Sequence, residues 1–281
     1  MQKLIITVAL TGNVPTKEMN PNVPVTPSEI AEDVNRCAAA GASVFHVHAR
    51  DKDQKPTLDT SIFKEIAKNI KAKNPDVIIQ LSTGARAGKD ENDRIKPIDL
   101  LPEMGSFTTG SNNLPGIVYE NSPSFIKKLG ETFGKTGVKP EIEVFELGMI
   151  NNAQFLVNKG ILKEPLHFSF VLGATGSMPG TVQNLSFLTQ SIPNGSTWSV
   201  AGIGKSEIPL ATAAIAMGGH VRVGVEDNLF MPDGSQASNL TLVEKIVRIA
   251  KEVGRDIATP DEAREILSLK RENKDRILDL I

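Results

Sequence analysis

Short apolar, β-branched runs alternate with longer stretches of helical period along the chain. Read as strands, the runs cover residues 4–10, 44–48, 77–82, 106–109, 142–147, 167–172, 197–203 and 220–226. Most are apolar on both faces, the pattern of parallel strands covered by helices. Helical periodicity fits residues 30–40, 61–73, 123–133, 208–217, 240–253 and 263–269. Thr26-Pro27-Ser28-Glu29 supplies an N-cap threonine, a proline at the first helical position and a capping-box glutamate. Gly41 stands where a C′ glycine ends that helix, and Thr259-Pro260-Asp261-Glu262 repeats the start signal before the last one.

Eight alternating units in one continuous chain predict a closed parallel (β/α)₈ TIM barrel. Residues 1–281 are expected to form a single catalytic domain with one extra C-terminal helix. An open doubly wound sheet is the runner-up, but Leu10-Thr11-Gly12-Asn13 is not a Gly-x-Gly-x-x-Gly fingerprint.

The length of 281 residues would suggest two average domains, yet one barrel takes about 250. A hydrophobic fraction of 40% plus 23 glycines supplies a full core and excludes disorder. With 31 basic and 33 acidic residues the net charge is −2, without blocks, and aromatics are 5%. A nucleic-acid partner needs a basic face or stacking platforms, and neither is present. No apolar run reaches the roughly 18 residues of a membrane span. The opening residues lack a cleavage site and read as a first strand. Cys37 is the lone cysteine, so no internal disulfide forms and a reducing cytoplasm is the expected location.

A barrel places its chemistry at the C-terminal ends of the strands. The second strand ends His46-Val47-His48, and residues two apart on a strand share a face. Both imidazoles can therefore enter the mouth and bind one metal ion; the bland reading is two packed core histidines. On the eighth strand Arg222, Gly224 and Glu226 share a parity opposite to Val221, Val223 and Val225. The valines suit the helix side, which turns the charged set inward. A carboxylate there needs a partner: a divalent metal shared with His46 and His48, or an ion pair with Arg222. Two histidines and a carboxylate suit catalytic zinc or non-haem iron. His220 and His167 lie too early in their strands and belong near the barrel floor.

Other strand ends are polar as well: Ser82-Thr83-Gly84, then Thr108-Thr109-Gly110-Ser111, Glu141 with Glu143, and Ala201-Gly202-Ile203-Gly204. Each is a weak signal, since small polar residues are common in βα loops; their convergence is the stronger one.

In this order His46-x-His48-x-Arg50-Asp51, Gln80-Leu81-Ser82-Thr83-Gly84, Pro140-Glu141-Ile142-Glu143, Trp198-Ser199-Val200-Ala201-Gly202 and Gly219-His220-Val221-Arg222-Val223-Gly224-Val225-Glu226-Asp227-Asn228 resemble the β-keto acid cleavage enzymes. The likeness runs over nearly the whole chain. It implies a zinc-dependent barrel, a homotetramer, that reacts a β-keto acid with acetyl-CoA to give acetoacetate and a new acyl-CoA. By the resemblance, His46, His48 and Glu226 bind Zn²⁺, and Arg222, Asp227 and Glu143 serve the chemistry. Ser82, Thr83, Gly84, Ser106, Thr109, Ser111 and Val14 line the substrate site. The family's member for an amino-substituted keto acid carries a glutamate just after the first-strand Thr-Gly. Here Asn13 and Val14 follow, so an uncharged substrate tail is expected.

Two rival readings remain at this point. A metal-dependent hydrolase of the amidohydrolase kind has its His-x-His on the first strand and further histidines on middle strands, which this chain lacks. A non-catalytic metabolite-binding barrel gains nothing from charges in its mouth.

Overall fold

The computed structural model describes residues 1–84, 86, 88 and 90–280. Eight strands form the barrel: β1 (Ile6–Ala9), β2 (Val44–Val47), β3 (Ile78–Leu81), β4 (Met104–Thr108), β5 (Lys139–Val144), β6 (His167–Leu172), β7 (Thr197–Gly202) and β8 (His220–Val223). Every neighbouring pair is parallel, and β1 pairs with both β2 and β8 to close the ring. The helices between are α1 (Pro27–Ala40), α2 (Thr60–Lys73), α3 (Glu91–Asp99), α4 (Pro123–Thr136), α5 (Leu147–Asn158), α6 (Val182–Thr189), α7 (Glu207–Met217) and α8 (Asn239–Glu252). A last helix, α9 (Pro260–Leu267), follows. The expected barrel is the observed one.

Strand alternation divides the residues into two layers. Val8, Phe45, Ile79, Phe107, Ile142, Phe170, Val200 and Val221 face outward and join the main apolar core under the helices. The opposite set is largely polar: Glu141 pairs in register with His167, Glu143 with Ser169, and Thr7 with Arg222. The apolar core is thus a ring around a polar barrel interior.

The N-terminal end of the barrel is sealed. Ile5, Val44, Ile78 and Met104 pack with Ala258, Ala263 and Leu267 of the closing segment. Arg264 reaches the Glu103 carboxylate through two bonds of 2.6 and 2.8 Å and fixes α9 there. His220 is at this floor as expected, its Nδ1 accepting from the Ile5 amide at 3.1 Å. With one end closed, ligands enter only from the C-terminal mouth, where two short hairpins sit (Ala49–Arg50 with Pro56–Thr57, and Asn112–Leu114 with Ile117–Tyr119).

The predicted caps are in place. Thr26 and Glu29 form a reciprocal capping box, Thr259 and Glu262 a second, and Gly41 ends α1 with φ of 119°. Three helices carry no signal in the periodicity. α3 has Pro97 inside it, and α5 and α6 have no charged residues to mark a solvent side. The fifth strand also starts and ends earlier than its apolar run, because Leu147 already opens α5.

Candidate active site

The mouth gathers charge at its centre. The His46 and His48 Nε2 atoms stand 3.0 Å apart, and Glu226 Oε1 lies 3.8 and 3.3 Å from them. His46 Nδ1 donates to Gln80 Oε1 at 2.5 Å and His48 Nδ1 to Asn13 Oδ1 at 3.1 Å. An amide oxygen only accepts, so each ring carries its proton on Nδ1 and turns a bare Nε2 lone pair toward the other. Burial, with Arg222 and His48 adding to it against Glu226, lowers the His46 pKa to about 4, so this imidazole is neutral and ready to ligate.

Three acceptor atoms facing one point repel unless a cation sits between them. Glu226 Oε2 is buried and, among the described residues, has no hydrogen-bond partner. A tetrahedral ion holding ligands at about 2.0–2.1 Å sets them about 3.4 Å apart, close to the separations seen. These residues fit a divalent metal such as zinc, and they are the one such cluster among the described residues.

Glu226 is aimed by a turn rather than by the strand. Sequence alternation carries β8 to residue 226, but the strand stops at Val223 and residues 224–227 turn. Gly224 passes so close to β1 that a Cβ would lie 2.1 Å from the Ala9 carbonyl oxygen. Glu207 clamps the turn at both ends, accepting from the Gly224 amide and from Asn228 Nδ2, each at 2.9 Å. Asn239 accepts from the Val225 amide at 2.8 Å. Gly12 leaves the room Glu226 needs: a Cβ there would meet Glu226 Cγ at 2.6 Å. Because the backbone turns, consecutive Glu226 and Asp227 both point inward, which a strand does not allow.

Arg222 lies between the carboxylates. Nε and Nη2 donate to Asp227 at 2.8 and 3.0 Å, Nη2 also to Glu226 Oε1 at 2.8 Å, and Nη1 approaches Glu143 Oε1 at 3.4 Å. The ion pair weighed as the bland reading is therefore present together with the metal-type cluster. Burial weakens the guanidinium's hold on its proton, but Asp227 and Glu226 override this and hold Arg222 well above its ordinary range. Burial likewise favours a proton on Glu226, but its charged surroundings, the Arg222 guanidinium at 2.8 Å among them, keep it well below the usual range. For Asp227 and Glu143 burial wins, and both carboxyls are raised. Three carboxylates around one guanidinium leave net negative charge, which a divalent ion offsets.

A cavity of about 470 Å³ opens over this centre. Ser82, Gly84, Val14, Glu143, Arg222 and Asp227 stand in its wall with the three metal-type residues. Thr83, Ser106, Thr109 and Ser111 do not. Thr83 Oγ1 donates to the Ser106 carbonyl, while Ser106 Oγ accepts from the Thr83 amide, so this pair ties β3 to β4. Thr109 faces outward and donates to the Met149 carbonyl at 2.8 Å, and Ser111 bonds with the backbone of Asn121. The inward hydroxyl at this strand end is Thr108, two residues after Ser106, donating to Glu143 Oε2 at 2.7 Å.

Four further residues shape the site: Gln80, Asn13, Thr108 and Tyr119, whose hydroxyl lies 3.3 Å from Thr108. Strand parity with Ser82 and Ser106 was the available signal for Gln80 and Thr108. Tyr119 sits on the hairpin after β4, and no periodicity places it.

A family model described as beta-keto acid cleavage enzyme matches residues 3–269. The chain is 48% identical over 273 residues to 3-keto-5-aminohexanoate cleavage enzyme of Fusobacterium nucleatum, covering 96% of this chain and 100% of that protein. It is 36% identical to 3-oxoadipate:acetyl-CoA acetyltransferase of Cupriavidus necator, covering 95% of each. Among solved structures, the apo structure of ObcA superposes with a TM-score of 0.76 at 22% identity, covering 89% of this chain and 66% of that chain.

Proposed function

The chain belongs to the beta-keto acid cleavage enzyme family, and we propose that its barrel mouth exchanges the acyl group of a β-keto acid with acetyl-CoA, releasing acetoacetate and a new acyl-CoA. The observation carrying this reading is the conjunction of His46, His48 and Glu226 with a buried, carboxylate-bound Arg222 in one cavity. A keto acid offers a carboxylate and a keto oxygen together, oxygen donors that suit a divalent ion with open positions. His46, His48 and Glu226 would hold a Zn²⁺ ion, which would supply Lewis-acid stabilisation of negative charge developing on the substrate oxygens.

The remaining work falls to the protein. Arg222 keeps its charge throughout, since its neighbours hold its pKa up, and stabilises oxyanions rather than acting as a base. Asp227, adjacent to the ligand Glu226 and with a raised pKa, takes the C2 proton. Glu143, anchored by Thr108, balances Arg222 from the far side. The C2 carbanion bonds to the acetyl carbonyl carbon as CoA thiolate leaves. The thiolate then adds to the original keto carbon, and the old C2–C3 bond breaks, its electrons staying with C2 of acetoacetate, which takes back the proton held by Asp227. Atoms balance without a further reactant.

For the tail, the wall offers Val14, Met19, Leu114, Phe145, Val171 and Leu229. Its carboxylates, Glu143, Glu226 and Asp227, are all engaged at the centre. With Arg86 as the other charged residue in the wall outside that centre, this disfavours an ammonium tail, whereas the name of the Fusobacterium relative favours an amino-substituted one. Acetoacetate release from a panel of 3-keto acids with acetyl-CoA tests both parts. Turnover abolished by a chelator and restored by zinc is expected, with 3-oxohexanoate ahead of 3-keto-5-aminohexanoate. Turnover without acetyl-CoA overturns the exchange, and a preference for the amino acid overturns the tail.

A further inference from the structure

The barrel interior beneath the mouth is polar where packing alone would make it apolar. The strand register climbs steadily around the ring, so side chains at one height come from alternate strands. The even strands place His46, Ser106, Ser169 and Arg222 in one layer, which carries the site. The odd strands place Thr7, Gln80, Glu141 and Ser199 in the layer directly below, all buried. His167 lies one layer lower still. Val, Ile and Leu ordinarily fill such layers; here Thr7 and Ser199 are small and leave room.

Gln80 Nε2, both Glu141 oxygens and Ser169 Oγ are buried and, among the described residues, have no hydrogen-bond partner. Burial favours a proton on Glu141, but its contact with His167, whose Nε2 lies 3.4 Å from Oε2, and the charge of Arg222 hold its carboxyl below the usual range. It is an acceptor with no proton to give, Gln80 Nε2 is a donor, and the Ser169 hydroxyl can be either. A water bonded to all three satisfies each, and about three such bonds is what a buried water ordinarily makes.

The orientation of the Gln80 amide needs a cause. Its oxygen takes the His46 Nδ1 proton at 2.5 Å. Turned over, the amide would donate to His46 and leave the ring proton on Nε2. There it would face His48 Nε2 at 3.0 Å and Glu226 Oε1 at 3.8 Å, so before an ion binds the mouth favours that alternative. The observed choice comes from the other end of the amide. On the reading that His46 ligates a metal, we propose that Glu141 is a positioning residue: across a water shared with Gln80 and Ser169 it holds the Gln80 N–H end downward, and so keeps the His46 proton on Nδ1 and the Nε2 lone pair toward the ion. A carboxylate attracts the N–H end of an amide dipole and repels its oxygen, and a low-dielectric interior lets this act across one water.

The test reads the ring itself. The chain has four histidines, so ¹⁵N-histidine solid-state NMR of the metal-free full chain can resolve His46, identified by its absence from the His46→Gln spectrum. At about pH 8, above the ordinary histidine range, wild type is expected to carry the proton on Nδ1. Glu141→Gln keeps the volume but can offer a donor as well as an acceptor. It is expected to spread His46 over both tautomers and to lower zinc affinity, measured by chelator competition, about tenfold. Glu141→Asp loses volume but keeps the charge, and is expected to retain the wild-type tautomer and the tighter binding. A residue that only fills space would give the reverse order. A high-resolution crystal structure of the wild type is expected to show a water bonded to Gln80 Nε2 and Glu141. An unchanged tautomer in the Glu141→Gln protein overturns the inference even if zinc affinity falls, as does a wild-type His46 proton on Nε2 or a structure without that water. None of these readouts needs turnover, so a chain that fails to exchange acyl groups would refute the proposed reaction and leave the role of Glu141 to these results.

Discussion

Replacing Arg222 by methionine removes the one guanidinium at the centre of the site while keeping most of its volume. Its nitrogens make four contacts of 2.8–3.4 Å to Asp227, Glu226 and Glu143, all deep in the mouth. Removing one partner from a buried charge cluster costs about 3–5 kcal/mol, because the others keep their charge without compensation. With an unfolding entropy of about 2.1 cal/mol/K per residue over 281 residues, that is a fall in Tm of about 5–8 °C. The loss depends on pH in a definite direction. Burial already raises the Asp227 and Glu143 carboxyls, and losing Arg222 raises them further. Between the unfolded carboxyl pKa and the raised folded one, the folded variant binds more protons than the unfolded chain, so its stability grows as pH falls. The deficit should be largest near about pH 8 and shrink toward about pH 5. Thermal melts of metal-free wild type and variant at both pH values read this directly, and added zinc should recover part of the loss. An unchanged midpoint at the higher pH, or a deficit that widens on acidification, would refute the charge balance described here.

Two other outcomes follow from the supports around the site. Gln80→Leu removes the acceptor that fixes the His46 tautomer, and zinc affinity measured by chelator competition should fall about 10–100-fold; unchanged affinity would mean the ring is oriented by packing alone. Glu207 is driven to a pKa of about 8, burial outweighing its bonds from Asn228 and Gly224. Its folded form therefore keeps a proton that the unfolded chain releases above about pH 4.5, and wild-type stability should decline as pH rises through that window, by at most about 1.4 kcal/mol per unit. Glu207→Gln removes this component, so the wild-type-minus-variant slope from denaturant melts across the window isolates it; a zero difference would count against a protonated Glu207.

The architecture was legible because strand and helix periods are local properties of the chain. Alternating apolar runs, capping boxes at Thr26 and Thr259 and the C′ Gly41 announce the barrel without any long-range information. His46 and His48 could be paired from spacing alone, since two residues on one strand must share a face. What defeated local reading was the absence of local contrast. α5 and α6 lack a charged side, so no periodic contrast between polar and apolar faces marked them.

Tertiary structure decided what spacing cannot express. Glu226 joins the histidines because residues 224–227 leave the strand and turn, held by Glu207 and Asn239 from distant helices. Thr108 rather than Thr109 faces the cavity because strand alternation puts Ser106 and Thr108 inward and leaves Thr109 to α5. The sequence by itself determined the barrel, the end of it that holds chemistry and the residue types gathered there. Which side chains meet, which proton sits on which nitrogen and which carboxylate oxygen is left without a partner depend on contacts between elements far apart in the chain, and only the closed ring brings those together.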